Sequence, residues 1–138
     1  MTDDQLIMTV TNDPPQLRSV REQVDAFGQR NNLPSTSVFS INLVLGELLT
    51  NTISYGYADK ATHTIEIRLE LHDGQLNLEI IDDARPFDPR RAKAPEQKGA
   101  LKDLPLGGRG IYLVRSYTDD LTYQRKRGRN HVTVTMTL

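Results

Sequence analysis

From Ile65 to Ile80 the chain alternates apolar and polar residues on both sides of an Asp73-Gly74 dipeptide. Ile65, Ile67, Leu69 and Leu71 alternate with Glu66, Arg68, Glu70 and His72, and Leu76, Leu78 and Ile80 continue the pattern on the return. Successive side chains on a strand point to opposite faces, so the two runs share one apolar face. Asp-Gly is a strong signal for a tight hairpin turn. This segment is therefore an antiparallel hairpin with one face turned to a core, and the rest of the chain has to cover that face.

Two helical patterns precede the hairpin. Pro14-Pro15 breaks the chain, as Pro is tolerated in a first helical turn. Leu17, Val20, Val24 and Phe27 then repeat at helical spacing to about Gln29. Asn31-Asn32-Leu33-Pro34 reads as a turn. A second helix runs from about Ser35 to Ser54, with Ile41, Val44, Leu45, Leu48 and Thr52 as its core stripe. Gln5 to Val10 reads as an opening strand. Pro86 to Leu106, rich in Pro and charge, reads as a mobile loop with room for a short helix. A third helix follows from about Arg109 to Thr118, and Leu121–Arg127 and His131–Leu138 form a closing hairpin around Gly128. This order predicts an α+β fold: a two-layer α/β sandwich, with a mixed sheet and its helices on one face. At 138 residues a single domain over 1–138 is expected.

The net charge of −1 argues against broad electrostatic binding of nucleic acid. Arg125 to Arg129 is a local basic run at a turn, read as solvated. There is no cysteine, and the three His, at 63, 72 and 131, lack metal-ligand spacing. The acidic, polar start shows no leader pattern, and no apolar run approaches the roughly 20 residues of a membrane helix. A soluble cytoplasmic protein without direct nucleic-acid or membrane contact is the expectation.

Three segments carry residues suited to chemistry. Glu47 and Asn51 lie four residues apart on one helix, so they are neighbours at the rim of its apolar stripe. They form either a solvated Glu–Asn pair or a cleft, where the Asn oxygen suits Mg²⁺ and the carboxylate suits a general base. Asp82 shares strand parity with Leu76, Leu78 and Ile80. Either it starts the turn after Ile81, or it is a buried carboxylate that needs a donor such as an adenine amino group. Gly107-Gly108-Arg109-Gly110 precedes the apolar Ile111, Leu113 and Val114. It is either a flexible loop or a cradle in which backbone N–H groups, a helix N-terminus and Arg109 meet phosphate. It is neither a P-loop nor a Rossmann fingerprint.

In this order, and on these elements, the three segments resemble the GHKL ATPases, and within them the anti-sigma factor serine/threonine kinases. Glu47 to Asn51 is similar to the N-box. Asp82 to Pro89, with its Pro-Phe-Asp-Pro ending, is similar to the G1 box. Gly107 to Val114 is similar to the G2 box, and Asn130 to Val134 to the last strand. The resemblance implies the Bergerat (histidine kinase-like ATPase) fold with ATP and Mg²⁺ as cofactors. Glu47 would be the general base, Asn51 the Mg²⁺ ligand and Asp82 the adenine ligand. Ala84, Phe87, Gly107, Gly108, Arg109 and Gly110 would complete the nucleotide site, the glycines as part of the lid. Thr133 faces away from Val132 and Val134 and stays outside the site.

The same resemblance implies a partner switch. Such a chain sequesters a sigma factor or similar regulator and phosphorylates a small anti-sigma antagonist protein on Ser or Thr. It also implies a homodimer. The lid segment over 90–106, whose Pro, Gly and charge content leaves it little to bury, is expected to be open or disordered without nucleotide. Two positions depart from the family pattern: Ala84 stands where Gly is usual and Tyr55 where His is frequent. Ala84 motivates an alternative, a non-catalytic ATP-binding module that sequesters protein partners.

Overall fold

The computed structural model describes residues 3–91 and 106–138. Its elements are β1 (Asp4–Thr11), α1 (Gln16–Arg30), α2 (Ser35–Tyr55), β2 (Thr64–His72), β3 (Gln75–Asp82), a 3-10 turn (Pro89–Arg91), α3 (Leu106–Ser116), β4 (Asp120–Lys126) and β5 (Arg129–Thr137). The strands form one sheet in the order β1-β2-β3-β5-β4.

Every strand pair is antiparallel, so the sheet is not the mixed one expected. The reason lies in the connections. Between β1 and β2 the chain passes through two helices, an even number, and returns antiparallel to its neighbour. Among the described residues one helix, α3, lies between β3 and β4; β4 takes the edge, and β5 pairs with both β3 and β4. The hairpins close where the sequence marks them: Asp73 and Gly74 have φ of 51° and 77°, and Arg127 and Gly128 have 53° and 77°. Positive φ at both central residues is what a type I′ two-residue hairpin turn requires.

One face of the sheet is apolar. Met8, Val10, Ile65, Ile67, Leu69, Leu76, Leu78, Ile80, Val134 and Met136 are buried there against Val20, Val24 and Phe27 of α1, Ile41, Val44, Leu45 and Leu49 of α2, and Ile111 and Val114 of α3. The helices thus lie on one face, as the α+β reading requires. Each Leu or Ile taken fully from water contributes about 1.5–3 kcal/mol. β3 is the middle strand, flanked on both sides, and its last residue is Asp82 rather than Ile81. The strand therefore carries its parity through to a carboxylate on the buried face.

Two boundaries differ at α3 and the segment before it. The helix begins at Leu106, so Gly107, Gly108 and Arg109 form its first turn rather than precede it. Glycine's poor helix propensity matters least there, because first-turn N–H groups have no partner within the helix anyway. Of the expected loop over 86–106, Pro89–Arg91 forms the 3-10 turn. Residues 92–105, which hold most of the expected lid, lie outside the described residues.

Candidate functional site

A cavity of about 310 Å³ opens between α2, the end of β3, α3 and β5. α2 contributes Leu48, Asn51, Thr52 and Tyr55, spaced to lie on one helical face, and Gly56 follows as its C-cap. Ile80, Ile111 and Val132 add apolar wall, and Ala84, Arg85, Phe87 and Pro89 form the rim after β3. Asp82 and Asn130 are the polar groups at the β-sheet side. A mostly apolar slot with a few convergent polar atoms is the usual form of a small-molecule site.

Asp82 is 4% exposed. Its Oδ1 accepts the Ala84 N–H at 3.0 Å and the Asn130 amide at 2.9 Å. Its Oδ2 has the Thr52 hydroxyl at 3.5 Å. Burial pushes the Asp82 carboxyl above its ordinary value, and the bonds from Asn130, Ala84 and Thr52 oppose that only in part. The site thus holds a carboxylate at a cost, on the wall of the cavity, with Oδ2 carrying only the long Thr52 contact.

Ala84 is 3% exposed, and its methyl lies opposite Gly56. A Cβ on Gly56 would fall 2.7 Å from the Ala84 Cβ and 2.5 Å from the Thr52 carbonyl oxygen. The missing side chain at position 56 is what makes room for the methyl at 84. The Gly56 carbonyl also accepts the Arg85 N–H at 3.0 Å, fastening the rim to the end of α2.

At the other end, α3 meets α2 without a side chain between them. Gly110 is buried, and a Cβ there would come within 2.6 Å of Glu47 Oε2 and 3.6 Å of Asn51 Nδ2. Glu47 is partly exposed, whereas Asn51 is 9% exposed, and its Nδ2 has no hydrogen-bond partner among the described residues. A buried amide without a partner fits a site meant for a ligand. Rotation of the amide brings its oxygen, the atom that suits Mg²⁺, to the same place. Arg115 of α3 donates to the Arg90 carbonyl and ties the helix to the 3-10 turn.

The family model described as Histidine kinase-like ATPase domain matches residues 10–136. The chain belongs to this family. It is 32% identical over 97 residues to the serine/threonine-protein kinase BtrW of Bordetella bronchiseptica, covering 70% of this chain and 68% of that protein. It is 23% identical to an anti-sigma F factor of Clostridium botulinum, over 78% of this chain and 75% of the relative. The fold matches the crystal structure of the RsbU and RsbW domains of a Mycobacterium tuberculosis protein with a TM-score of 0.67 at 14% identity. That match covers 98% of this chain and 32% of the crystallised one.

The ATPase domain brings the sequence-derived residues together in two groups. Asn51, Asp82, Ala84 and Phe87 line the cavity, and Glu47 joins Asn51 at the Gly110 contact. Gly107, Gly108 and Arg109 occupy the first turn of the helix that carries Gly110. Thr133 pairs with Glu79 across the ladder, out of phase with the buried Val132 and Val134, and lies outside the cavity. Sequence reasoning missed Asn130, Thr52 and Arg125. Asn130 pairs with Asp82 in the β3·β5 register, a pairing that only the folded sheet reveals. Arg125, read as part of a solvated turn, is exposed on β4 and also donates to the Ala84 carbonyl at 2.7 Å. A run of basic residues does not reveal that contact, which spans 41 residues.

Proposed function

We propose that this protein is an ATP-dependent serine/threonine-protein kinase of the anti-sigma factor type, acting as a partner switch. The observation that carries the reading is a cavity lined by Asn51 and the buried Asp82, with Glu47 beside Asn51 at the close contact that Gly110 allows. The names of its relatives, a serine/threonine-protein kinase and an anti-sigma factor, support the same class.

ATP and Mg²⁺ fit the donor set present. Asp82 would accept a hydrogen bond from the adenine amino group, and Leu48, Ile80, Ile111 and Val132 would enclose the ring. Asn51 would offer its amide oxygen to Mg²⁺, which supplies charge neutralisation on the phosphates. Gly107, Gly108 and Gly110 would bring backbone N–H groups to the phosphates at the positive end of α3, with Arg109 adding charge. Phe87 would close the rim.

Glu47 would take the proton from a Ser or Thr hydroxyl of the antagonist as that oxygen bonds to the γ-phosphorus. The bond to the ADP oxygen breaks in the same transfer. Such a reaction rests on positioning and charge stabilisation rather than covalent help from the protein. Phosphate on the antagonist would then weaken its complex through charge and desolvation, freeing the kinase to sequester a sigma factor or similar regulator. Assembly as a homodimer, a cytoplasmic location and a single domain over 1–138 belong to this proposal. Among the described residues, no helix is long and apolar enough to cross a membrane. The non-catalytic alternative drew on Ala84; the relative named as a serine/threonine-protein kinase favours the catalytic reading over it.

The test is transfer of labelled γ-phosphate from ATP to a cognate antagonist. Glu47→Gln should lower the rate by about 10²–10⁴-fold with ATP affinity preserved. Transfer at the wild-type rate in that variant, or none from the folded wild type with Mg²⁺, would rule the proposal out.

A further inference from the structure

Asn130 faces Asp82 across the β3·β5 ladder and is 3% exposed. Its amide nitrogen lies 2.9 Å from Asp82 Oδ1, 3.0 Å from the Arg85 carbonyl and 3.3 Å from the Ala84 carbonyl. Its amide oxygen accepts from the Tyr123 hydroxyl at 2.6 Å and from Arg125 Nη1 at 3.1 Å. These partners fix the amide's orientation. Turned over, its oxygen would face three acceptors and its nitrogen two donors. The position calls for donor and acceptor in one short planar group, and an Asp there would set a second carboxylate against Asp82.

The consequence falls on Asp82. Its Oδ1 is filled by the Asn130 amide and the Ala84 N–H, whereas Oδ2 has one long contact with Thr52. A carboxylate free to turn about its Cβ–Cγ bond presents either oxygen over a wide arc. One held at Oδ1 presents Oδ2 in a single direction, and the same amide holds the Ala84 and Arg85 carbonyls that begin the rim.

We propose that Asn130 is the positioning residue that aims Asp82 Oδ2 at the base of the bound nucleotide, and so sets the preference for a base with an exocyclic amino group. The proposal rests on the nucleotide-site reading above. Tyr123 and Arg125 form an outer brace on β4, with Arg125 also bonded to the Ala84 carbonyl at 2.7 Å. The closing hairpin is thereby connected to the base end of the site. Asn130 acts through Asp82 and touches no reacting atom.

The experiment compares wild type and Asn130→Ala by calorimetric titration with ATP and with purine riboside triphosphate, which lacks the 6-amino group. ATP affinity should fall roughly tenfold and affinity for the analogue far less, as expected when a directed bond to a charged group is lost. KM for ATP should rise while kcat at saturating ATP holds. In nucleotide-free protein the Ala84 amide, which donates to Asp82 Oδ1, should exchange faster while the Leu78 amide is unchanged. Equal weakening of both nucleotides, or an Ala84 amide as protected as in wild type, would overturn the proposal. If Asn130→Ala fails to fold, Tyr123→Phe and Arg125→Ala remove the brace from outside, and must shift the nucleotide ratio in the same direction. A wild type that binds no nucleotide would end the kinase reading alone. The Ala84 exchange would still decide whether Asn130 holds Asp82.

Discussion

Asp82 has its charge in a place that water barely reaches, and the fold compensates only part of that cost. The raised carboxyl, caused first by burial, means that the ionised form destabilises the folded protein at neutral pH. Asp82→Asn should therefore melt no lower than wild type, and higher near neutrality, in nucleotide-free protein. The amide oxygen can accept from Asn130 and Ala84 as Oδ1 does, and the new NH₂ can donate to the Thr52 hydroxyl. The same variant should lose ATP affinity. A thermal melt and a binding titration on one sample check both, and a lower melting temperature would contradict the account. The burial of Asp82 was legible in the sequence because parity alone puts it in phase with Ile80. Asn130 was not, because its contacts with Asp82, Ala84 and Arg85 span 45 to 48 residues and depend on the register of two strands. Gly110 sits between these cases. Its glycine was visible, but not that the missing side chain faces Glu47. Gly110→Ala should leave stability unchanged or slightly raised, since Ala favours helix by about 1 kcal/mol. It should displace the Glu47 carboxylate and slow phosphoryl transfer by about tenfold or more, because small misplacements at a reacting centre are costly. Melting temperature and transfer rate, measured together, separate these effects.

The connection from α2 to β2 has its own electrostatic fastening. His63 Nε2 lies 2.8 Å from Asp59 Oδ1, and Nδ1 lies 3.0 Å from Asp83 Oδ2. Its ring stacks on Tyr57 at 4.2 Å, and the Tyr57 hydroxyl donates to Asp83 Oδ1 at 3.1 Å. Two carboxylate partners need N–H on both ring nitrogens, which only the imidazolium provides. The bonds to Asp59 and then Asp83 hold the His63 pKa above its ordinary value of 6.5. Stability from this group is thus fully present below about pH 6.5 and is lost as pH rises through the raised folded value. Urea unfolding at about pH 6 and about pH 8.5 should show a larger fall in wild type than in His63→Gln. Equal falls would disprove the fastening. At this scale the hairpins, α1 and α2 were all readable from period and turn residues. The start of α3 was not, because glycines in a first turn look like loop. Nor was the antiparallel sheet, because connection order does not by itself say which strand takes the edge.

Among the described residues an apolar sheet face is roofed by three helices, with the candidate site where the roof parts between α2 and α3. Binding at such a site stabilises by mass action, and Mg²⁺ with ATP at about 100 times Kd should add about 2.7 kcal/mol. Melting curves with and without nucleotide would show it, and Asp82→Asn should show no such rise. α2 runs beside the full length of the site. Glu47 and Asn51 meet Gly110 at one end, Thr52 reaches Asp82 in the middle, and Gly56 holds Arg85 and Ala84 at the other. At 1.5 Å per residue, Glu47 and Gly56 stand about 13 Å apart along the axis. Under the proposed function the helix would be a ruler laid along the nucleotide, with the base held at the Asp82 mark and the terminal phosphate near Glu47, so a nucleotide one phosphate short would reach the first mark and fall short of the second. Adding a residue between those marks would turn one end against the other by about 100°, leaving a protein that folds but no longer measures.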